Sequence, residues 1–138
     1  MAKPSPTHSH GTALQAGIAS ASAPQASFRL RVRLGDQIAI GPGKIALLEA
    51  IGTEGSISAA AKRLGMSYKR AWDLLNTINQ SLATPAIGSE RGGPHGGGSV
   101  LTPEGRELVR LYRAIEVRAA QACSAELDSL LDLLKQGG

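Results

Sequence analysis

The first periodic pattern in the chain is an alternation of apolar and basic residues. Its apolar positions are Phe28, Leu30, Val32 and Leu34, and its basic positions are Arg29, Arg31 and Arg33. A period of two with one apolar face predicts a half-buried β-strand. Ile38 and Ile40, which follow a turn at Gly35 and Asp36, indicate that the strand continues beyond that turn. The arginine face is a candidate for phosphate contacts, and a solvated face is the simpler interpretation.

The segment after Gly41 carries the first helical pattern. Pro42 suits the first turn of a helix, because its ring fixes a helical φ and its missing N–H would have no partner there. Apolar residues then recur at helical spacing, at Ile45, Leu47, Leu48 and Ile51. The pattern predicts a short amphipathic helix that Gly52 or Gly55 ends.

The next two helices are predicted from their caps and from the glycine between them. Ser56 is a suitable N-cap for a helix through Leu64, and Ser67 for a helix through about Leu82. Gly65 can adopt the positive φ that a tight turn needs. Two short helices that cross steeply through such a turn are typical of a helix-turn-helix. The residues expected to face inward around the turn are Ala60, Ala61, Leu64, Met66, Ala71, Leu74 and Leu75.

The third helix begins with cations, although the helix dipole favours acidic side chains at that end. Lys69 and Arg70 in this turn are explained if phosphates or guanine edges lie ahead of them. The residues predicted to contact DNA on this helix and the preceding one are Lys62, Arg63, Ser67, Tyr68, Lys69 and Arg70.

Two aromatic residues of the third helix leave alternatives open. Trp72 can stack on a base, but its inward neighbours Ala71 and Leu75 favour a place in the core. Tyr68 is as consistent with a hydrogen bond to a phosphate as with packing.

A glycine-rich segment, Gly92 to Ser99, separates two short predicted strands at Ile87–Arg91 and Val100–Thr102. So many glycines predict a loop throughout this segment. A nucleotide-binding phosphate loop needs a helix directly after it, which is not the case here. A hairpin after a helix-turn-helix is instead typical of a wing that lies along the DNA backbone or the minor groove. Arg91 and His95 would be its polar tips, and for His95 a flexible loop without contacts is the alternative.

The last regular pattern is a long helix. Thr102 is predicted as its N-cap and Pro103 as its first residue. Its apolar stripe consists of Leu108, Leu111, Tyr112, Ile115, Ala119 and Ala122. A further apolar stripe consists of Leu127, Leu130, Leu131 and Leu134. This second stripe belongs either to the same helix or to one that follows a break. A small domain cannot easily cover these faces, so we expect them to mediate homodimerisation.

Composition and charge narrow the class of protein. The formal net charge is +4, which favours an anionic partner such as nucleic acid. Cys123 is the only cysteine, so neither an intrachain disulfide nor a cysteine-based zinc site is expected. No apolar run approaches the roughly twenty residues of a membrane span. No cluster of histidines, cysteines or paired carboxylates has catalytic spacing, so we do not expect an enzyme.

Residues 1–27 are rich in Ala, Ser, Pro, Thr and Gly and almost lack large apolar groups. Such a segment cannot bury enough surface to offset its ordering entropy, so it is predicted to be a disordered tail. It also lacks the continuous apolar stretch of an export signal, and a cytoplasmic location is therefore expected.

Two segments, "GSISAAAKRLGMSYKRAWDLLNTIN" and "ERGGPHGGGSVLTPEGRELVRLY", resemble the N-terminal DNA-binding domain of ModE, the bacterial molybdate-dependent regulator of the LysR-like winged helix class. The resemblance covers about residues 28 to 122. It implies a homodimer that binds a palindromic operator in double-stranded DNA, with the third helix in the major groove. Full-length members carry C-terminal molybdate-binding domains, and the residues up to Gly138 are too few for them. We therefore expect no molybdate sensor and no cofactor in this chain.

Together, the patterns predict a mainly α-helical fold with a small β-hairpin: a winged helix-turn-helix with a long C-terminal helix. Residues 28–102 would form the DNA-binding domain and residues 103–138 the dimerisation helix. The function predicted is sequence-specific transcriptional regulation linked to molybdenum metabolism. The alternative is a winged-helix module that binds proteins without DNA specificity, against which the basic first turn of the third helix argues.

Overall fold

The computed structural model describes residues 23–90 and 98–134. Residues 29–118 form one compact unit, and the described parts of residues 1–28 and 119–138 form another. The elements in chain order are β1 (Val32–Leu34), β2 (Gln37–Ile40), α1 (Pro42–Glu54), α2 (Ile57–Leu64), α3 (Tyr68–Ser81), β3 (Ile87–Glu90), β4 (Gly98–Leu101), α4 (Pro103–Ala122) and α5 (Ser124–Asp132). The fold is mainly helical with a small antiparallel hairpin, β3–β4, as predicted, and it has a second small hairpin, β1–β2. The predicted tail at residues 1–22 lies outside the described residues.

The first hairpin pairs β1 with β2 through a turn at Gly35, whose φ is +64°. The prediction that β1 is half-buried was wrong. Val32 and Leu34 are exposed, as is Phe28 before the strand. Strand β1 pairs only with β2, and all three of its residues are exposed, so no described element covers the face that the alternation predicted to be buried. Instead, β2 supplies buried residues to the core.

Helix α1 is the centre of the core. Ile45, Leu47, Leu48 and Ile51 have no exposed surface. The helix ends at Gly55, whose φ is +80° and whose N–H donates to the Ile51 carbonyl at 2.8 Å. The second of the two predicted end points is therefore the correct one. The remaining buried core residues are Ala39, Ile40, Ala50, Ala60, Ala61, Ala71, Leu75, Ile78, Ala86 and Tyr112.

Helix α4 begins as predicted, with Thr102 as its cap and Pro103 as its first residue. The Thr102 Oγ1 accepts a hydrogen bond from the Gly105 N–H at 3.0 Å and donates one to the Pro85 carbonyl at 2.7 Å. The Thr102 N–H donates to the Ala86 carbonyl at 2.9 Å. One threonine thus starts the helix and fastens it to the segment before β3.

Only one side of α4 faces the core. Tyr112 is buried, and its hydroxyl donates to the Leu30 carbonyl at 2.8 Å. Leu111 and Ile115, from the same predicted stripe, are 44% and 48% exposed. The second predicted stripe follows a break at Cys123: Leu127, Leu130 and Leu131 lie in the separate helix α5, and Leu134 lies beyond its end. No helix among residues 23–90 and 98–134 is both long and apolar enough to cross a bilayer.

Candidate nucleic-acid interface

The turn between α2 and α3 has the predicted caps. The Ser56 Oγ accepts from the Ala59 N–H at 3.1 Å, and the Ser67 Oγ accepts from the Arg70 N–H at 3.0 Å. Gly65 ends α2 with a φ of +70°. This left-handed conformation is accessible to glycine and disfavoured for residues with a Cβ. Short-range hydrogen bonds and one glycine therefore fix how the chain passes from α2 into α3.

Small residues let these helices pack closely. Ala60, Ala61 and Ala71 are buried, as is Leu75. Met66 and Leu74 are half-buried and pack against the same core. The prediction that Leu64 faces inward was wrong, because this last residue of α2 lies at the helix end and is 36% exposed.

The predicted cations around the turn are all exposed. Lys69 Nζ lies 3.1 Å from Asp73 Oδ2, and Arg63 Nη1 lies 3.0 Å from Glu54 Oε2. Within residues 23–90 and 98–134, the side chains of the other two predicted cations, Lys62 and Arg70, form no ion pair. Exposed ion pairs contribute little stability, so a phosphate can replace either carboxylate at low cost.

The two aromatic residues of α3 are on its exposed side. Tyr68 is 52% exposed and Trp72 is 41% exposed, so the prediction of a core position for Trp72 was wrong. Ala71 and Leu75 already fill the space beneath α3. Trp72 instead donates its Nε1–H to the Tyr68 hydroxyl, with 2.7 Å between nitrogen and oxygen.

The β3–β4 hairpin stands beside the helix-turn-helix. Strand β4 begins at Gly98, so the prediction that Gly92 to Ser99 is loop throughout was wrong for its last two residues. Their backbones are held by pairing with β3, and the Ser99 N–H also donates to the Gly55 carbonyl at 3.0 Å. The predicted wing residues Arg91 and His95 lie outside the described residues.

Sequence reasoning missed the contacts that support this hairpin. Asn79 Oδ1 accepts a hydrogen bond from the Ala86 N–H at 2.9 Å and so links the end of α3 to the start of β3. A Cβ on Gly105 would lie 2.3 Å from the Ala86 carbonyl oxygen. An asparagine near the end of a helix is a weak signal for the Asn79–Ala86 hydrogen bond. No local pattern in the sequence reveals the close approach of Gly105 to Ala86.

The described part of the chain brings together no group of three or more histidines, cysteines or carboxylates that could hold a metal ion. Around the helix-turn-helix it presents exposed cations, the hydroxyls of Ser67 and Tyr68, two aromatic rings and the amides at the start of α3. These groups suit contacts with an anionic polymer.

Comparison with known proteins identifies the helix-turn-helix region. The family model described as "Bacterial regulatory helix-turn-helix protein, lysR family" matches residues 43–106. Residues 43–106, called the lysR-type domain below, are thus similar to this family. They contain nearly all of α1, together with α2, α3, the β3–β4 hairpin and the start of α4.

Curated relatives of the lysR-type domain confirm the resemblance to ModE. The molybdenum-pterin-binding protein MopB of Rhodobacter capsulatus is 48% identical over 91 residues, which are 66% of this chain and 34% of MopB. The molybdenum transport protein ModE of Azotobacter vinelandii is 43% identical over 71% of this chain and 35% of that protein. The DNA-binding transcriptional dual regulator ModE of Escherichia coli K12 is 42% identical over 64% of this chain and 34% of that protein. The chain thus spans about a third of the length of these relatives.

Proposed function

We propose that this chain binds double-stranded DNA as a sequence-specific transcriptional regulator linked to molybdenum metabolism. The observation that carries the proposal is the exposed basic first turn of α3, which follows a glycine-centred helix-turn-helix. The names of the ModE and MopB relatives support the link to molybdenum. Binding rather than catalysis is the proposed activity, and the cytoplasm is its proposed location.

The first turn of α3 is proposed to enter the major groove. Lys69 is 84% exposed at its side chain, and its partner Asp73 is 60% exposed. A DNA phosphate carries a full charge and would compete with this solvated carboxylate for the ammonium group. Arg70, with no ion pair in the described part of the chain, has a guanidinium suited to the O6 and N7 atoms of guanine. Ser67 and Tyr68 offer hydroxyls at the same turn.

Lys62 and Arg63 on α2 are proposed to contact the DNA backbone beside the groove. Both are exposed in the last turn of their helix. Phosphate contacts of this kind set the position of the protein on the duplex and add affinity without adding sequence preference. The wing residues Arg91 and His95 are proposed to make further backbone or minor-groove contacts.

We propose that the chain forms a homodimer through its C-terminal region, residues 103–138. A symmetric dimer of this kind would bind a palindromic operator. The exposed pair Leu111 and Ile115 lies four residues apart on α4, and this apolar patch supports a self-complementary helix contact. Half-sites about one DNA turn apart, roughly 34 Å, would follow from such a dimer.

The proposal is tested by selecting bound duplexes from a random pool, with and without molybdate, and titrating the selected duplex with salt. We expect a palindromic consensus and an affinity that falls steeply as salt rises, because phosphate contacts release counterions. Recovery of no consensus, together with salt-independent binding, would overturn the proposal in favour of a protein-binding module.

A further inference from the structure

The hydrogen bond between Trp72 and Tyr68 joins two exposed side chains one turn apart on α3. Residues four apart on a helix lie on the same face. Tyr68 begins the basic first turn of α3, next to Lys69 and Arg70, and all three side chains are exposed. Trp72 follows one turn later and borders the same cleft as Leu75. The Tyr68 end of the pair therefore lies at the turn through which the proposed function acts.

The direction of this hydrogen bond determines what Tyr68 can still offer. The indole N–H of Trp72 is a donor only, so the phenolic oxygen of Tyr68 must accept. The hydrogen of that hydroxyl then points elsewhere, and within residues 23–90 and 98–134 it forms no hydrogen bond. Tyr68 consequently presents a hydrogen-bond donor at the tip of α3.

Trp72 also lines a cleft between α3 and the β3–β4 hairpin, which Ile57 and Ile87 line as well. The hydrogen bond from its indole N–H restricts the phenol of Tyr68 to few orientations before any partner arrives. Such preorganisation reduces the entropy lost on binding.

We propose that Trp72 is a positioning residue that holds the Tyr68 hydroxyl as a donor to an acceptor atom of duplex DNA. This inference rests on the proposed function. Phosphate oxygens are acceptors, and so are O6 and N7 of guanine, N7 of adenine and O4 of thymine in the major groove. The Tyr68 hydroxyl would thus donate to an acceptor oxygen or to a ring nitrogen of DNA.

The test compares three variants on the selected duplex. The first carries a benzothiophene in place of the indole at position 72, which keeps the shape of the ring and removes only the N–H. The second is Tyr68→Phe, and the third combines both changes. We expect each single change to weaken binding about five- to tenfold, the range for one hydrogen bond, and the combination to weaken it no further.

A second measurement needs no DNA. Trp72 is the only tryptophan of the chain, so selectively excited fluorescence reports its indole alone. Tyr68→Phe should shift the emission spectrum of the free protein and leave its thermal unfolding unchanged. If the pair had only a structural role, Tyr68→Phe would instead lower the unfolding temperature and leave the affinity of the folded protein for DNA unchanged. The emission shift itself reports that the hydrogen bond forms in the free protein.

The outcomes separate the two proposals. If the wild type binds no duplex, the proposed function fails and this inference fails with it. If the wild type binds and the benzothiophene variant binds equally well, or the two losses simply add, only this inference is overturned. Equal losses on selected and scrambled duplexes identify a phosphate acceptor, whereas a loss confined to the selected duplex identifies a base edge. Either of these two results supports the inference.

Discussion

Arg113 on α4 binds Glu49 on α1 through two hydrogen bonds, from Nε to Oε2 at 2.8 Å and from Nη2 to Oε1 at 2.7 Å. The Nη1 of the same guanidinium donates to Glu116 at 2.7 Å. This fork joins the central helix of the core to the helix that we propose mediates dimerisation. The hydrogen bonds from Arg113 lower the pKa of Glu49, while partial burial opposes that shift. The same contacts raise the pKa of Arg113.

The lowered pKa of Glu49 predicts that acid weakens the fold. The contribution of this pair is fully present above the ordinary carboxyl pKa of 4.5 and is lost as pH falls through the lower pKa of the folded state. Because both side chains are about 40% exposed, we expect only about 0.5–1 kcal/mol from the pair. Urea unfolding of Glu49→Gln and the wild type at pH 7 and pH 3 measures this contribution. The difference between the two proteins should shrink at pH 3, and a constant difference would contradict the assignment.

Gly105→Ala should destabilise the fold by about 2–4 kcal/mol. The new Cβ would lie 2.3 Å from the Ala86 carbonyl oxygen, which belongs to the backbone and already accepts from Thr102. Gly43→Ala on α1 is the matched control, since the described part of the chain leaves open space around the methyl group it would add. We expect the control to be neutral or slightly stabilising because alanine favours helices. Equal unfolding midpoints for the two variants would refute the close approach of α4.

Lys69→Ala and Arg70→Ala should weaken duplex binding while leaving stability almost unchanged. The expected loss is about 1–3 kcal/mol for a residue that reads a base, and less for one that contacts a phosphate. Fluorescence anisotropy with selected and scrambled duplexes distinguishes the two cases, because a phosphate contact affects both equally. Arg110→Ala removes the same charge from an exposed position on α4 and serves as the control. Unchanged affinity of the Lys69 and Arg70 double variant would count against the proposed groove contact.

Leu111→Glu and Ile115→Glu should each shift the protein from dimer to monomer. Both side chains are about half exposed on one side of α4, where a carboxylate would be buried without a partner in a helix-to-helix contact. Val117→Glu is the control, because Val117 is 55% exposed on a different side of the same helix. Sedimentation velocity measures the oligomeric state. A wild-type monomer, or dimers of all three variants, would rule out this interface.

The predictions that succeeded rest on interactions between residues close in sequence. Ser56, Ser67 and Thr102 are recognisable as caps because their hydroxyls bond to amides three residues later. Gly65 is recognisable because a tight turn needs a positive φ. Such local geometry is encoded within a few residues, so it can be predicted without knowledge of the rest of the fold.

The predictions that failed concern burial and side-chain pairing, which depend on how whole elements pack against one another. The neighbours of Trp72 favour a core position for it, but the alanine and leucine beside it leave no room beneath α3. A period of two predicts a buried face for Leu34, but β1 pairs only with β2 and no described element covers that face. Likewise, no pattern in the sequence indicates that Arg113 meets Glu49, because side-chain pairing across helices depends on how the whole chain is packed.

The contact between Ser99 and Gly55 connects backbone to backbone, so no side-chain replacement abolishes it directly. Strand β4 is thereby bonded to Gly55, the residue between α1 and α2. Because the base of the β3–β4 hairpin is fixed by this bond and by its pairing, we expect changes in the length of the connection between the two strands to leave that base in place.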